Sequence, residues 1–153
     1  MHIENDIKLD FKDVLIRPKR STLQSRNEVI LERTFKFKHV PEYEWTGVPI
    51  ISANMDTTGT FEMALAFYKF KMFVSLHKYY SIDDWDNFIN SIKDESVKVD
   101  IYNYISITSG IGKQDLEKLN KILAKFPDIK FISLDVANGY TETFVNVLQN
   151  IRS

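Results

Sequence analysis

The chain has 153 residues, of which 44% are hydrophobic and 27% charged, which is typical of a globular protein with one domain of ordinary size. Its 20 lysine and arginine residues nearly balance 21 aspartate and glutamate residues, so neither nucleic acid nor a membrane surface is expected as a partner. The sequence contains no cysteine, which excludes disulfides, thiolate metal sites and a cysteine nucleophile within these residues.

The first 47 residues are predicted to form an N-terminal extension that packs on the sheet built by residues 48–153. Residues 10–17 and 29–37 favour short extended pieces, and prolines and glycine punctuate the segment. Its charged start does not resemble a signal peptide, and no apolar run approaches the roughly 18 residues of a membrane span. A cytoplasmic location is therefore expected.

From Val48 onward, short apolar runs alternate with segments of helical spacing. The runs show little apolar/polar alternation, which is typical of strands covered on both faces of a parallel sheet. They cover residues 48–53, 72–76, 104–107 and 131–134. After each run, apolar residues recur every three or four positions and so share one helical face. Residues 94–103 favour a loop or an irregular edge.

Residues that begin and end helices support these four helical segments. Thr60 and Thr141 are suitable N-caps, and Ser81 with Asp84 resembles a capping box. Pro127 ends the third helix. Four successive β/α units predict either an open doubly wound sheet or a (β/α)₈ barrel, and the pattern alone does not choose between them.

A barrel of this type usually needs about 250 residues, so the chain would supply only half of one. A fragment or a truncated gene product is therefore expected. In parallel β/α folds, ligands bind at the carboxyl ends of the strands. The residues at the four predicted strand ends are Asn54, Met55 and Asp56, then His77 and Lys78, then Ser109 and Gly110, and finally Asp135 and Asn138.

Most of these residues also have a structural interpretation. Asp56 could cap a turn, His77 could be a hydrogen-bonded core histidine, and Ser109-Gly110 could be an ordinary loop. Lys78 is different, because a lysine directly after a buried strand is costly unless it meets an anion or a carboxylate. Asp135 is its natural electrostatic partner, in a pair that tunes proton transfer or in a structural ion pair.

Other motifs are weak. The segment 109–113 matches only the first part of a dinucleotide-binding loop, because Asp115 occupies the position of the third glycine. Residues 17–20 with Arg26 could meet phosphates, although a solvated surface is the usual explanation. Three scattered histidines do not form a metal site, and no metal is expected.

Several longer motifs together resemble the IMP dehydrogenase/GMP reductase family. They are LDFKDVL with RPKRS in residues 9–21, PIISANMDT and GTFEMA in residues 49–64, HK and YS in residues 77–81, and LDVANGY in residues 134–140. Asn54 stands where IMP dehydrogenases typically have proline, and their frequent insertion after the second helix is absent. These features favour the GMP reductase branch.

The resemblance implies the N-terminal half of a (β/α)₈ TIM barrel, preceded by an extended segment, in a homotetramer. The implied reaction is the NADPH-dependent reductive deamination of GMP to IMP and ammonia. In the family, a cysteine attacks the purine C2, ammonia leaves, and hydride from NADPH resolves the covalent intermediate. Because that cysteine lies outside these 153 residues, the chain alone is expected to be inactive.

The motifs also carry expected residue roles. Lys78 and Asp135 match residues of the deamination region, in which they would orient groups or relay a proton. The residues that match NADPH contacts are Lys78, Asp135, Val136 and Ala137, together with Ser25 and Arg26 supplied by a neighbouring subunit. A weaker assignment places Ser52, Asn54 and Met55 opposite the substrate nucleotide.

Two alternatives stay open. The chain could belong to an IMP dehydrogenase, although Asn54 argues against this. It could also be a non-catalytic half-barrel that associates only with itself or with intact subunits, because it lacks the cysteine.

Overall fold

The computed structural model describes residues 5–152, which divide into two compact units, with the boundary in the chain between Ile30 and Leu31. The predicted extension of residues 1–47 spans this division, and its residues 1–4, like Ser153, lie outside the described residues. The first unit contains two 3-10 turns, Phe11–Asp13 and Arg26–Glu28. The segment predicted to be extended from Asp10 therefore begins with a turn, because Asp10 and Asp13 hydrogen-bond reciprocally to each other's main-chain N–H groups.

The second unit begins with an antiparallel hairpin of β1 (Arg33–Phe37) and β2 (Val40–Gly47). The sequence predicted an extended piece at residues 29–37, of which the strand takes the last five. It did not predict β2, whose proline and charged residues resemble a loop. Trp45 on β2 is buried and anchors the hairpin to the sheet that follows.

A four-stranded parallel sheet forms the centre of the second unit. Its strands are β3 (Ile51–Ser52), β4 (Phe73–Leu76), β5 (Ile105–Ser109) and β6 (Ile132–Leu134). All four predicted strands are confirmed, although the first is reduced to two residues. The spatial order β3-β4-β5-β6 equals the chain order, so every crossover moves in the same direction. This winding is that of a barrel, since a doubly wound sheet reverses direction at its switch point.

Within residues 5–152, five α-helices accompany the strands: α1 (Phe61–Tyr68), α2 (Ile82–Ser91), α3 (Glu95–Asp100), α4 (Lys113–Lys125) and α5 (Glu142–Arg152). The four predicted helices are confirmed, as are the Thr60 cap and the Ser81–Asp84 capping box. The prediction of a loop or an irregular edge at 94–103 is wrong, because Asp94 caps α3 and a 3-10 turn, Ile101–Asn103, follows it. None of the helices within residues 5–152 is long and apolar enough to cross a bilayer.

The sheet separates two chemically different faces. One face packs under the helices as a continuous apolar core that includes Val74, Leu76, Ile105, Ile107, Trp85 and Leu119. The opposite face carries an aromatic floor in which Phe73, Tyr104 and Phe131 pack around Trp45. Beyond this floor, hydroxyl groups on β4, β5 and β6 hydrogen-bond to one another; they belong to Ser75, Ser106, Thr108 and Ser133. Helices on one face and small polar side chains on the other define half of a barrel wall.

Candidate active site at the strand ends

The carboxyl ends of the central strands meet at one edge of the sheet, as the sequence predicted. The main-chain N–H of Asp135 donates to the carbonyl oxygen of Ser109 at 2.9 Å, which joins the end of β6 to the end of β5. The N–H of His77 donates to the carbonyl oxygen of Gly59 at 2.9 Å, which joins the end of β4 to the loop after β3. Main-chain hydrogen bonds therefore set the spacing of the strand-end residues.

The loop after β3 is a closed turn held by its own polar groups. The carbonyl oxygen of Met55 accepts hydrogen bonds from the N–H groups of Thr58 and Gly59, at 3.1 and 2.7 Å. The Ser52 hydroxyl donates to the carbonyl oxygen of Thr58 at 3.0 Å, so this predicted substrate residue supports the loop. Asn54 is half-buried, whereas the Met55 side chain is 59% exposed.

The loop after β4 is fixed by stacked rings. The ring of Tyr80 lies between the imidazole of His77 and the ring of Phe61, with centroid distances of 4.0 and 3.8 Å. The Tyr80 hydroxyl accepts a hydrogen bond from the N–H of Phe61 at 3.1 Å, and burial raises the pKa of this phenol. Nδ1 of His77 accepts the N–H of Tyr79 at 3.2 Å. These contacts favour the structural interpretation of His77.

Lys78 is half-buried between this stack and α4. Its carbonyl oxygen accepts a hydrogen bond from Nζ of Lys118 at 2.7 Å. Within residues 5–152, no hydrogen bond or ion pair engages its own ammonium group, and the anticipated ion pair with Asp135 is not formed. The side chain of Asp135 is exposed. The structure therefore leaves both charged groups at the mouth of the half-barrel without a protein partner among the described residues.

The glycines after β5 have a local explanation. A Cβ atom at Gly110 would lie 2.3 Å from Oδ2 of Asp115, and one at Gly112 would lie 3.2 Å from the same oxygen. Gly112 occupies the N-cap position of α4, and Asp115 lies in that helix's first turn. The Asp115 carboxylate therefore occupies the space beside both glycines and would have to move to admit a side chain at Gly110. This local packing favours the ordinary-loop interpretation over a dinucleotide loop.

The remaining predicted cofactor residues lie in two places. Val136 is half-buried and Ala137 exposed in the loop after β6, where Oδ1 of Asn138 accepts the N–H of Tyr140 at 2.9 Å. Ser25 and Arg26 are exposed in the first unit, where the Ser25 hydroxyl accepts the N–H of Asn27 at 3.3 Å.

Lys118 is a strand-end contact that the sequence did not predict. It lines a small cavity with His77, Lys78, Ser109 and Asp115. Burial lowers the pKa of its ammonium group, although Asp115 and Asp84 act in the opposite direction. The sequence did not indicate a role for Lys118, because a lysine beside the apolar residues of a helix usually extends into solvent. Across the described part of the chain, no three acidic or histidine side chains are grouped as a metal site.

A half-barrel wall with a polar mouth belongs to the class of β/α-barrel proteins. The same class contains the IMP dehydrogenase of Legionella pneumophila, whose crystal structure superposes with a TM-score of 0.67 at 22% sequence identity. That alignment covers 93% of this chain and 39% of the Legionella chain, so it supports a partial barrel.

Residues 8–153 match the IMP dehydrogenase / GMP reductase domain, and the chain belongs to this family. It is 50% identical over 151 residues to GMP reductase 2 of Bos taurus and 48% identical over 152 residues to the GMP reductase of Edwardsiella ictaluri. These alignments cover 99% of the chain but only 41% and 42% of the relatives. The chain therefore corresponds to an N-terminal half of such proteins.

Proposed function

We propose that this chain is the NADPH-binding half of a GMP reductase, an enzyme that converts GMP, NADPH and two protons into IMP, NADP⁺ and ammonium. The identity of about 50% to GMP reductases along nearly the whole chain carries this proposal. The substrate, the cofactor, a homotetrameric assembly and a cytoplasmic location belong to the proposal for the complete enzyme.

The strand-end residues fit a nicotinamide nucleotide. Lys78 is a half-buried residue whose ammonium group no described residue neutralises, and such a group favours an oxygen-rich or anionic ligand. Val136 offers partly buried apolar surface in the loop that also holds Asp135 and Ala137. NADPH, when bound, supplies the hydride that replaces the amino group.

Lys78 and Asp135 would bind the cofactor and transfer the proton at the mouth of the half-barrel. Lys78 would hold the cofactor and place a proton near the departing amine, while Asp135 would orient that lysine or relay the proton. In the complete assembly, Ser25 and Arg26 would contact NADPH from a neighbouring subunit, and Ser52, Asn54 and Met55 would lie on the substrate side of the mouth.

NADPH binding by the 153-residue chain tests the cofactor assignment. A fluorescence titration is expected to show saturable binding, and Lys78→Met is expected to weaken it about tenfold or more, the loss of one charged hydrogen bond. Lys93→Met is the matched control, because Lys93 is an exposed lysine that follows the end of α2. Equal affinity for NADPH in the wild type and the Lys78→Met variant would refute the role of Lys78.

A second candidate function is association without catalysis. The sequence contains no cysteine, and the aromatic floor opens into a groove of about 520 Å³ lined by residues such as Phe37, Trp45, Phe73 and Phe131. A half-barrel of this kind could pair with itself or with an intact subunit. Co-elution with a complete GMP reductase on a sizing column would support association, and separate elution would count against it.

An IMP dehydrogenase activity is the third possibility, and Asn54 together with the identity to GMP reductases opposes it. Assaying a complete enzyme that contains this sequence with IMP and NAD⁺, and in parallel with GMP and NADPH, separates the two reactions.

A further inference from the structure

Lys118 and Lys78 are 40 residues apart in the chain and are joined by one hydrogen bond. Nζ of Lys118, on α4, donates to the main-chain carbonyl oxygen of Lys78 at 2.7 Å. Among the described residues, no carboxylate lies within ion-pair distance of Lys118, although its side chain is partly buried. A partly desolvated ammonium group is thus committed to a neutral peptide carbonyl, an arrangement that fixes position more than it neutralises charge.

The main chain around Lys78 is held on each side. The N–H of His77 donates to the carbonyl oxygen of Gly59, and the N–H of Tyr79 donates to Nδ1 of His77. Lys118 adds a third hydrogen bond to this segment, to the carbonyl oxygen of Lys78 itself. The main chain of Lys78 is therefore fixed while its ammonium group has no partner in the described chain.

We propose that Lys118 is a positioning residue that holds the peptide of Lys78 so that the Lys78 ammonium group is directed at an oxygen of the bound nicotinamide nucleotide. This inference rests on the proposed cofactor role of Lys78. A pre-fixed main chain lowers the conformational entropy that Lys78 loses when it binds the ligand. Loss of the Lys118 hydrogen bond therefore weakens binding through Lys78, without Lys118 touching the ligand.

A double-mutant cycle on the 153-residue chain tests the coupling. Lys118→Met removes the donor, Lys118→Arg restores one, and Lys121→Met removes an exposed lysine from the same helix as the control. NADPH titrations are expected to show about tenfold weaker binding for Lys118→Met, partial rescue by arginine and no change for Lys121→Met. In a Lys78→Met background, Lys118→Met is expected to have no further effect.

The outcomes separate the inference from the function on which it rests. If the wild type binds NADPH and Lys118→Met binds equally well, the positioning role is refuted and the proposed function stands. An equal loss in both backgrounds also refutes it, because a general structural effect does not depend on Lys78. If the wild-type chain binds no NADPH, the cofactor assignment fails and the inference fails with it. Thermal melting checks the fold of each variant, and Lys118→Gln, a shorter neutral side chain, replaces Lys118→Met if the latter unfolds.

Discussion

The indole N–H of Trp45 donates a hydrogen bond to the main-chain carbonyl oxygen of Asn103 at 2.7 Å, across 58 residues of chain. The same indole packs edge-on against Phe73 and Tyr104, with centroid distances of 6.2 and 6.0 Å. One side chain of the hairpin thus closes the amino-terminal end of the half-barrel. This floor lies at the opposite end from the strand-end loops, so stability and ligand binding can be perturbed separately.

Replacement of Trp45 tests how strongly the floor stabilises the fold. Trp45→Ala removes a side chain that is only 8% exposed and is expected to lower the free energy of unfolding by about 3–5 kcal/mol. Trp45→Phe keeps most of the packing but leaves the Asn103 carbonyl without its donor, so a smaller loss is expected. Urea unfolding followed by circular dichroism measures the free energy of unfolding of both variants. Equal decreases for Trp45→Ala and Trp45→Phe would contradict the packing argument.

Gly59 is expected to be intolerant of any side chain. A Cβ atom there would lie 2.4 Å from the carbonyl oxygen of Ser75 and 2.9 Å from that of Ala53, both of which are main-chain atoms. Gly59→Ala must displace the loop after β3 and is expected to cost about 1–3 kcal/mol. Gly139→Ala is the matched control, because its Cβ would approach only Phe144, at 3.7 Å. Equal melting temperatures for the two variants would contradict the steric argument.

Tyr68 should make the fold sensitive to alkali. Burial, together with a hydrogen bond from its hydroxyl to Oδ2 of Asp100 at 2.9 Å, raises the pKa of Tyr68 from 10.0 to about 12. Between these values, the unfolded chain has lost a proton that the folded chain retains, so the free energy of unfolding falls as the pH rises. Tyr68→Phe is expected to show a shallower decline. Phenolate absorbance is titrated in the wild type and in Tyr68→Phe, and the difference between the two curves reports the Tyr68 phenol. A difference that titrates near pH 10 would contradict the raised pKa of Tyr68.

The strands and the main helices could be predicted because burial imposes a pattern on them. All residues of β4 and β5 are buried. Their apolar side chains Val74, Leu76, Ile105 and Ile107 lie in the core under the helices, whereas Ser75 and Ser106 lie on the opposite face. The short helix α3 escaped prediction, because six residues with exposed Val99 and charged neighbours show no clear periodicity. The strand β2 was not predicted, because only Trp45 and Gly47 on it are buried and its other residues show no apolar pattern.

The strand-end residues were predictable as a set, but their contacts were not. Parallel topology alone places Lys78 and Asp135 at one edge. Whether their side chains meet depends on side-chain conformation and on what else approaches, and here Lys118 reaches the Lys78 carbonyl from a different helix. A contact across 40 residues between two lysines has no sequence signature, because like charges give no reason to expect proximity.

The capping box of α2 should give the fold a dependence on acid. Hydrogen bonds from the hydroxyl and the main-chain N–H of Ser81 lower the pKa of Asp84 below its usual 3.8. The stabilisation that the ionised Asp84 carboxylate gives the fold is present above pH 3.8. It is lost as the pH falls through the pKa of Asp84 in the folded state. Asp84→Ala should therefore melt lower than wild type at pH 7, and the gap should narrow in strong acid. Asp83→Ala removes a charge from the same turn without breaking the box, so a similar loss there would contradict the capping explanation.

Binding and turnover are expected to separate in this chain. The implied reaction needs a thiolate to attack C2 of GMP, and the sequence contains no cysteine, so no residue of the chain can form that bond. Mixing the purified chain with GMP and NADPH is therefore expected to leave the absorbance at the nicotinamide wavelength unchanged, even where titration shows that NADPH binds. The matched control is a complete GMP reductase under the same conditions, which must oxidise NADPH only when GMP is present. GMP-dependent oxidation by the 153-residue chain alone would mean that a nucleophile other than cysteine operates at the mouth, and substitution of Lys78 and Asp135 in turn would then show whether either one is required.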